Sequence, residues 1–238
     1  SKISLARKNV FRGGETLKFT LNGSYEWQTG ADLRGDRSLI NSYEYGVTFD
    51  LTYPRMILGR MGKRFSRRAN SSTQFQLNAK WMNRANYFGR VSLGARVNYS
   101  YQKKRNVKHN FTPLRLDYEL QLHTTHTFDS IMNANQALYV SMRNQFVPSM
   151  EYTYNWMSTR HAPRTVTLTL KEAGNLTSMI YRIAGEPFDR RNKQLFNVPF
   201  AQYMKATAQY THLFRLTKRS GIATRIFGGA VLSYGNAS

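Results

Sequence analysis

The sequence predicts an all-β protein, an antiparallel up-and-down transmembrane β-barrel of about ten strands. Three observations lead there. Apolar and polar residues alternate with period two through most of the chain. The alternating runs come close to the about 9–11 residues of a membrane-crossing strand, whereas strands of soluble proteins average about 5–6. Tyrosine and tryptophan fall at the two ends of the runs.

Taken in order, a short start at Ile3 and Leu5 precedes "ETLKFTLNGSYEWQ" (15–28), with Leu17, Phe19, Leu21, Tyr25 and Trp27 on one parity. Lys18 and Glu26 stand on the other. An extended chain sends alternate side chains to opposite faces, so each run has one apolar and one polar face. "YEYGVTFDLTY" aligns Tyr43, Tyr45, Val47, Phe49, Leu51 and Tyr53 against Glu44 and Asp50. "TQFQLNAKW" sets Phe75, Leu77, Ala79 and Trp81 against Lys80. "RVSLGARVNYSYQ" sets Val91, Leu93, Ala95, Val97, Tyr99 and Tyr101 against Arg90 and Arg96. "LRLDYELQL" gives Leu114, Leu116, Tyr118, Leu120 and Leu122 opposite Arg115, Asp117 and Glu119. "PSMEYTYNW" carries Met150, Tyr152, Tyr154 and Trp156, and "RTVTLTL" repeats the pattern. Two weaker strands follow near 200–216 and 220–234. One stretch, 128–142, lacks the alternation and predicts a short helix inside a long loop, after His123 and His126.

Strands that run up and down place the connections 9–14, 55–72, 103–110, 157–164 and 217–220 on one side. Those at 29–41, 84–89, 123–146 and 181–199 lie on the other. The first set is the shorter, apart from 55–72, and reads as periplasmic. This orientation puts Trp27, Tyr43, Tyr45 and Trp81 at the outer strand ends, with Tyr25 joining their girdle. Tyr53, Tyr99, Tyr101 and Trp156 fall at the inner ends. Amphipathic rings settle at headgroup depth, so two such rows are what a bilayer requires and a sandwich core does not. The expected lipid-facing residues are then Leu17, Phe19, Leu21, Val47, Phe49, Leu51, Leu77, Leu93, Val97, Leu116 and Leu120. The expected lumen-facing residues are Lys18, Glu26, Glu44, Asp50, Lys80, Arg90, Arg96, Arg115, Asp117 and Glu119, a wall whose opposite charges can pair across the interior.

Composition bounds the chemistry. With 35 Lys and Arg against 13 Asp and Glu, the net charge of +22 calls for an anionic neighbour. Nucleic acid is not the expected partner: the basic clusters "RMGKRFSRR", "KKRNVK" and "KRSG" are scattered among turns, and the aromatic rings sit on the apolar parity rather than among the arginines. The absence of cysteine rules out disulfides and thiolate metal sites. No run of about 18 apolar residues predicts a membrane helix. His123 and His126 lack a third ligand in the nearby sequence and read as loop histidines. No nucleophile motif or glycine-rich phosphate loop occurs, so neither enzyme activity nor a cofactor is expected. Both ends of the chain read as cut, which predicts a fragment of a longer protein.

Specific residues add a family likeness. "KNVFRGGETLKFTLNGSYEWQ" resembles the turn and strand near the start of BamA/TamA-type outer-membrane assembly barrels, the bacterial surface antigen family. Asn9, Phe11, Gly13, Gly14 and Glu15 match that turn, and Arg12 stands where a glycine is common. "VTFDLTYPR" (47–55), "HNFTPLRLDYELQL", "PFAQYMKATAQYTHLFRL" and "ATRIFGGAVLSYGNAS" are similar to further strands of the family, closest in flavour to the TamA-like lipoprotein barrels of Bacteroidetes. The resemblance implies a sixteen-stranded barrel in the bacterial outer membrane, with residues 1–238 supplying its second to eleventh strands. It also implies that the seam strands, the periplasmic repeat domains and the Arg-Gly-aromatic tip of the sixth loop lie outside this stretch. Arg225, Gly228 and Gly229 match the eleventh strand, where the implied role is structural. The implied function is insertion or export of client outer-membrane or surface proteins without nucleotide. The implied partners are outer-membrane lipid including lipopolysaccharide, those clients, and other envelope assembly factors. A channel or transporter barrel of another class is the alternative, and a soluble basic β protein that binds polyanions is the third reading.

Overall fold

The computed structural model describes residues 1–29, 39–58, 70–84, 87–135, 139, 142, 144–158, 162–175, 194–195, 198–199, 202–217 and 220–234. Period-two alternation becomes strand throughout. In chain order these are β1 (Lys2–Lys8), β2 (Thr16–Thr29), β3 (Leu39–Tyr53), β4 (Asn70–Arg84), β5 (Phe88–Lys104), β6 (Val107–Thr124), helix α1 (His126–Ala134), β7 (Gln145–Ser158), β8 (Arg164–Ala173), β9 (Gln194–Leu195), β10 (Val198–Pro199), β11 (Tyr203–Arg215) and β12 (Gly221–Ser233). Ten strands form one antiparallel sheet in the order β1-β2-β3-β4-β5-β6-β7-β8-β11-β12, each pairing with its neighbour in sequence except where β9 and β10 intervene as a separate two-stranded ladder. The sheet is up-and-down, as expected, and it is open between β1 and β12.

The strands are longer than the alternation alone suggests. β2–β7, β11 and β12 run for 13 to 18 residues. A hydrogen-bond ladder continues for as long as both strands do, and does not stop where side chains turn polar. The connection expected at 103–110 is accordingly a two-residue turn: Lys104 pairs with Val107 across Arg105 and Asn106, and Gln102 Nε2 donates to the Arg105 carbonyl at 2.9 Å.

The first third of β6 escapes a parity reading because a bulge reverses its phase. The register shifts between Val97 and Tyr99 on β5 and between Thr112 and Arg115 on the β7 side. Leu114 therefore opposes Val97, while Phe111 opposes Tyr99 and His109 opposes Tyr101, which brings odd-numbered residues onto the face that even-numbered ones hold further along. Pro113 lies in the shifted segment. It has no N–H to give a ladder and is tolerated in a sheet only at such an irregularity or at an edge.

Among the described residues, the connection after β6 supplies the one substantial apolar cluster that lies on the polar side of the sheet. Thr125 caps α1, its Oγ1 accepting from the Phe128 N–H at 3.4 Å, and Asp129 sits in the first turn where a helix favours negative charge. Phe128 and Met132, four residues apart and so on one helix face, are buried against Phe88, with Met82 and Met142 packed around them. The Phe88 and Phe128 ring centroids are 5.1 Å apart. Phe88 and Met82 share strand parity with Arg90 and Lys80, and the Arg90 guanidinium lies over the Phe88 ring at 5.8 Å. The helix thus folds back over the polar face at this end.

Replacing Phe128 with alanine should remove about 3 kcal/mol from this docking. Hydrogen exchange of the α1 amides is then expected to accelerate by about a hundredfold, while the β4–β6 ladder keeps its protection.

Candidate membrane-facing surface and polar face

The register carries the apolar residues of successive strands into continuous rows. One row runs Leu5, Phe19, Phe49, Leu77, Ala95, Leu116, through six strands. Beside it run Leu21, Val47, Ala79, Leu93, Tyr118 and Leu17, Leu51, Phe75, Val97, Leu114. On the later strands the apolar face carries the rows Tyr152, Leu170, Ala206, Ala230 and Tyr154, Leu168, Ala208, Gly228, which join β6 at Phe111 and His109. Nothing in the described chain covers this face over its centre. Phe49 is 48% exposed, Leu77 59% and Leu93 46%.

The distribution of burial is inverted relative to a water-soluble domain. Among the described residues thirty large hydrophobic side chains are exposed, whereas the buried apolar set is only Phe88, Phe128, Met132, Phe146 and Ala173. A soluble monomer rarely exposes a contiguous apolar patch beyond a few hundred Å², and a face built of several such rows far exceeds that.

The expected aromatic rows stand at opposite ends of this face. Tyr25 opposes Tyr43, and Tyr45 opposes Trp81. At the far end Thr73 carries the row from Tyr53 to Tyr99, and Tyr101, His109 and Tyr154 follow in register, with Trp156 opposite Val107. The Trp27 side chain lies outside the described residues; its backbone pairs with Asn41. From Tyr43 to Tyr53 is ten residues, about 33 Å of strand. At the about 40° tilt of barrel strands that spans about 25 Å, the height of an outer-membrane apolar band. Leu120 pairs with Val91 beside Trp81, so it belongs nearer the girdle than the centre.

The other face carries the charges that the sequence assigned to a lumen. Lys80 Nζ lies 2.9 Å from Glu44, Arg90 Nη1 3.0 Å from Glu119, and Arg115 Nε 2.7 Å from Asp117. Gln74 and Gln76 both donate to Asp50 Oδ1, at 2.9 and 2.8 Å. The charges pair along one strand or between nearby strands, not across an interior. Short polar bonds extend the pattern: Ser4 with Thr20, Thr112 with Asn98, Ser100 with Asn110, Thr153 with Thr169. Lys18 and Glu26 stand on the same face with no ion pair, and Arg96 Nε is buried without a hydrogen-bond partner. His123 pairs with Gly89 and His126 opens α1, so the two imidazoles belong to different elements.

Two segments singled out for their resemblance meet in space. The β1–β2 turn holds Asn9, Arg12 and Gly14 at positive φ, 58°, 62° and 79°. Arg12 thus occupies, at a steric cost, the left-handed conformation that favours glycine. Glu15 is fully buried at the centre of this turn. It accepts from the Phe11 N–H and, at 2.8 Å, from the Gly13 N–H. A methyl group added at Gly13 would lie 2.8 Å from Glu15 Oε2 and 3.5 Å from Arg55 Nη2, and one at Gly14 would lie 3.3 Å from Pro54. The turn therefore packs on the Pro54–Arg55 corner. That corner is tied down by Thr73, whose hydroxyl donates to the Arg55 carbonyl and accepts from the Ile57 N–H. Arg225 donates to Gln209 at 2.7 Å. Gly229, on its face of β12, leaves no room for a side chain beside Thr207. Both residues serve strand packing.

The parity reading left out the Phe88–Phe128 cluster. Its signal was present: Met82 and Phe88 are apolar residues on the polar parity, and they flank the same connection, between β4 and β5.

Comparison with family models, curated proteins and solved structures finds no match.

Burial pushes the Glu15 carboxyl up, but the amides of Glu15, Phe11 and Gly13, with Arg55 beside them, outweigh it and hold the group below the usual carboxylate range. Its contribution to stability is therefore complete above the ordinary value of about 4.3 and is lost as pH falls through the lower folded value. Glu15→Gln should unfold at lower denaturant than the parent protein at neutral pH, and the gap should close on acidification below about pH 4. Denaturant titrations at several pH values would check this.

Proposed function

We propose that this chain forms the wall of a bacterial outer-membrane β-barrel, and that it serves to insert or export other outer-membrane proteins. The observation that carries the membrane reading is the stack of exposed apolar rows, bounded by two aromatic rows about 25 Å apart and backed by an ion-paired polar face. Hydrocarbon is the solvent that such a face fits, and an aqueous interior fits its reverse. No helix of the described residues is long and apolar enough to cross a membrane, and in this reading the strands do so.

The assembly reading rests on the resemblance of the β1–β2 turn and of the Pro54–Arg55 corner to the BamA/TamA-type family, and on the contact between them. In that reading the work needs no nucleotide or metal. A partly unzipped seam and a thinned bilayer lower the barrier for client strands, and the ten strands described here keep the wall rigid while the seam moves. A conducting channel is the second reading, favoured by the Glu44–Lys80 and Arg90–Glu119 pairs, which give the polar face a mixed-charge lining.

Leu77→Arg should destabilise the protein in bilayers by about 2–4 kcal/mol, measured by denaturant unfolding from vesicles. Thr48→Arg, on the polar face, should cost less than about 1 kcal/mol. Equal costs, or a monodisperse product without detergent, would count against the membrane reading. Proteoliposomes that speed the folding of an unfolded outer-membrane barrel support the assembly role. Steady ion conductance without that acceleration supports the channel.

A further inference from the structure

The two ends of the sheet differ sharply in charge. Among the described residues, the end at which β1 joins β2, β3 joins β4, β5 joins β6 and β11 joins β12 carries Arg12, Arg55, Lys103, Lys104, Arg105 and Arg215 against a single carboxylate, Glu15. At the other end the described connecting residues, 87, 125–135, 139, 142, 144 and 174–175, carry no Lys or Arg and one carboxylate, Asp129. The first rim is thus basic among the described residues. Its lone carboxylate is buried, accepts from the Phe11 and Gly13 amides and lies beside Arg55, so it offsets one of these cations and leaves the others unbalanced.

On the described residues of that rim, Arg12, Arg55, Lys103, Lys104, Arg105 and Arg215 are all exposed, and none takes part in the three ion pairs of the sheet. Apolar side chains stand exposed among them: Phe11 at 63%, Leu216 at 62%, and Ile57 and Leu58 beside Arg55. The row of Tyr53, Tyr99, Tyr101 and Trp156 runs just inside the same rim. A solvated turn has no use for exposed phenylalanine and leucine. Cations and apolar anchors side by side, next to an aromatic row, are the composition of a segment that lies in a headgroup layer.

We propose that this rim binds the phosphates of anionic phospholipids, which would anchor and orient the barrel in one leaflet. The inference rests on the membrane reading above. The geometry separates it from other anions. The charges are spread along hairpins of a ten-stranded sheet, about 43 Å across at the usual strand spacing, so they form a line and not a pocket for one small ion. The neighbouring rings belong to the apolar face and offer no stacking surface among the cations, as a nucleic acid would need.

Flotation with vesicles of phosphatidylcholine, alone or doped with phosphatidylglycerol, tests the proposal on the full chain. Phosphatidylglycerol should raise the fraction bound by at least about tenfold at low salt, and high salt should remove the gain. The quadruple variant Arg12→Glu/Lys103→Glu/Lys104→Glu/Arg105→Glu should enter phosphatidylcholine normally and lose the gain. Arg84→Glu, at the other end, should keep it. A gain that survives in the first variant, or that inorganic phosphate or duplex DNA abolishes at matched ionic strength, overturns the proposal. A chain that enters neither vesicle overturns the membrane reading and this proposal with it, whereas insertion indifferent to headgroup overturns the proposal alone. The unaltered protein gives an independent answer whether or not the variants fold. Extracted from mixed bilayers, it should retain phosphatidylglycerol over phosphatidylcholine, and retention in the bilayer's own ratio overturns the proposal.

Discussion

Every feature of this protein depends on the antiparallel backbone ladder. Away from water an unpaired N–H or C=O costs several kcal/mol, so a sheet with a broad apolar face must first satisfy its main chain along the ladder. Neighbouring strands of the ten-stranded sheet pair in unbroken register or across a few one-residue shifts. The same register fixes which side chains are adjacent, and so it assembles Phe19, Phe49 and Leu77 into a row as surely as it joins their amides. One interaction sets both the solvent that the sheet can meet and the place where it meets it.

The two faces use that ladder differently. The apolar face has almost no internal specificity: its residues touch others of the same kind, and its energetics depend on what surrounds it. The polar face is specific. Asp50 is held by two glutamines, Glu44 by Lys80, and Arg90 both by Glu119 and by the Met142 carbonyl and thioether of the α1 connection. Arg90 thus links the ion-paired wall to the apolar cluster under α1. That residue joins the two kinds of packing this molecule has.

Much of this was legible in the sequence, because period two is a local property. Ten strands, their order, the sides of their connections and the helix after His123 follow from alternation and chain direction. What stayed hidden was non-local or out of phase. Val107, His109 and Phe111 alternate correctly, but in the opposite phase from Leu114 onward, so a parity scan discards them as linker. Phe88 and Met82 violate the polar parity because a helix far along the chain covers them. Charge pairing across an interior was expected, and the observed partners lie along one strand or between nearby ones, since spacing on one strand says nothing about its neighbour's rotamers. The meeting of Glu15 with the Arg55 corner depends on how two successive hairpins fold at one rim, and no single segment encodes it.

The irregularity at Thr112–Arg115 has a consequence for how such a wall can change. In a strand of period two, gaining or losing one residue turns everything beyond that point inside out, and a gene that suffers such an event in the middle of β2 or β4 would present Glu26 or Lys80 to the apolar side. At the bulge the inversion has already been made and is absorbed locally around a proline. A single-residue deletion there would bring Phe111 and Leu114 into one uninterrupted phase, with both still on the apolar side. The bulge is therefore a point where the chain length of β6 is free to drift by one without changing which way the faces of the sheet point.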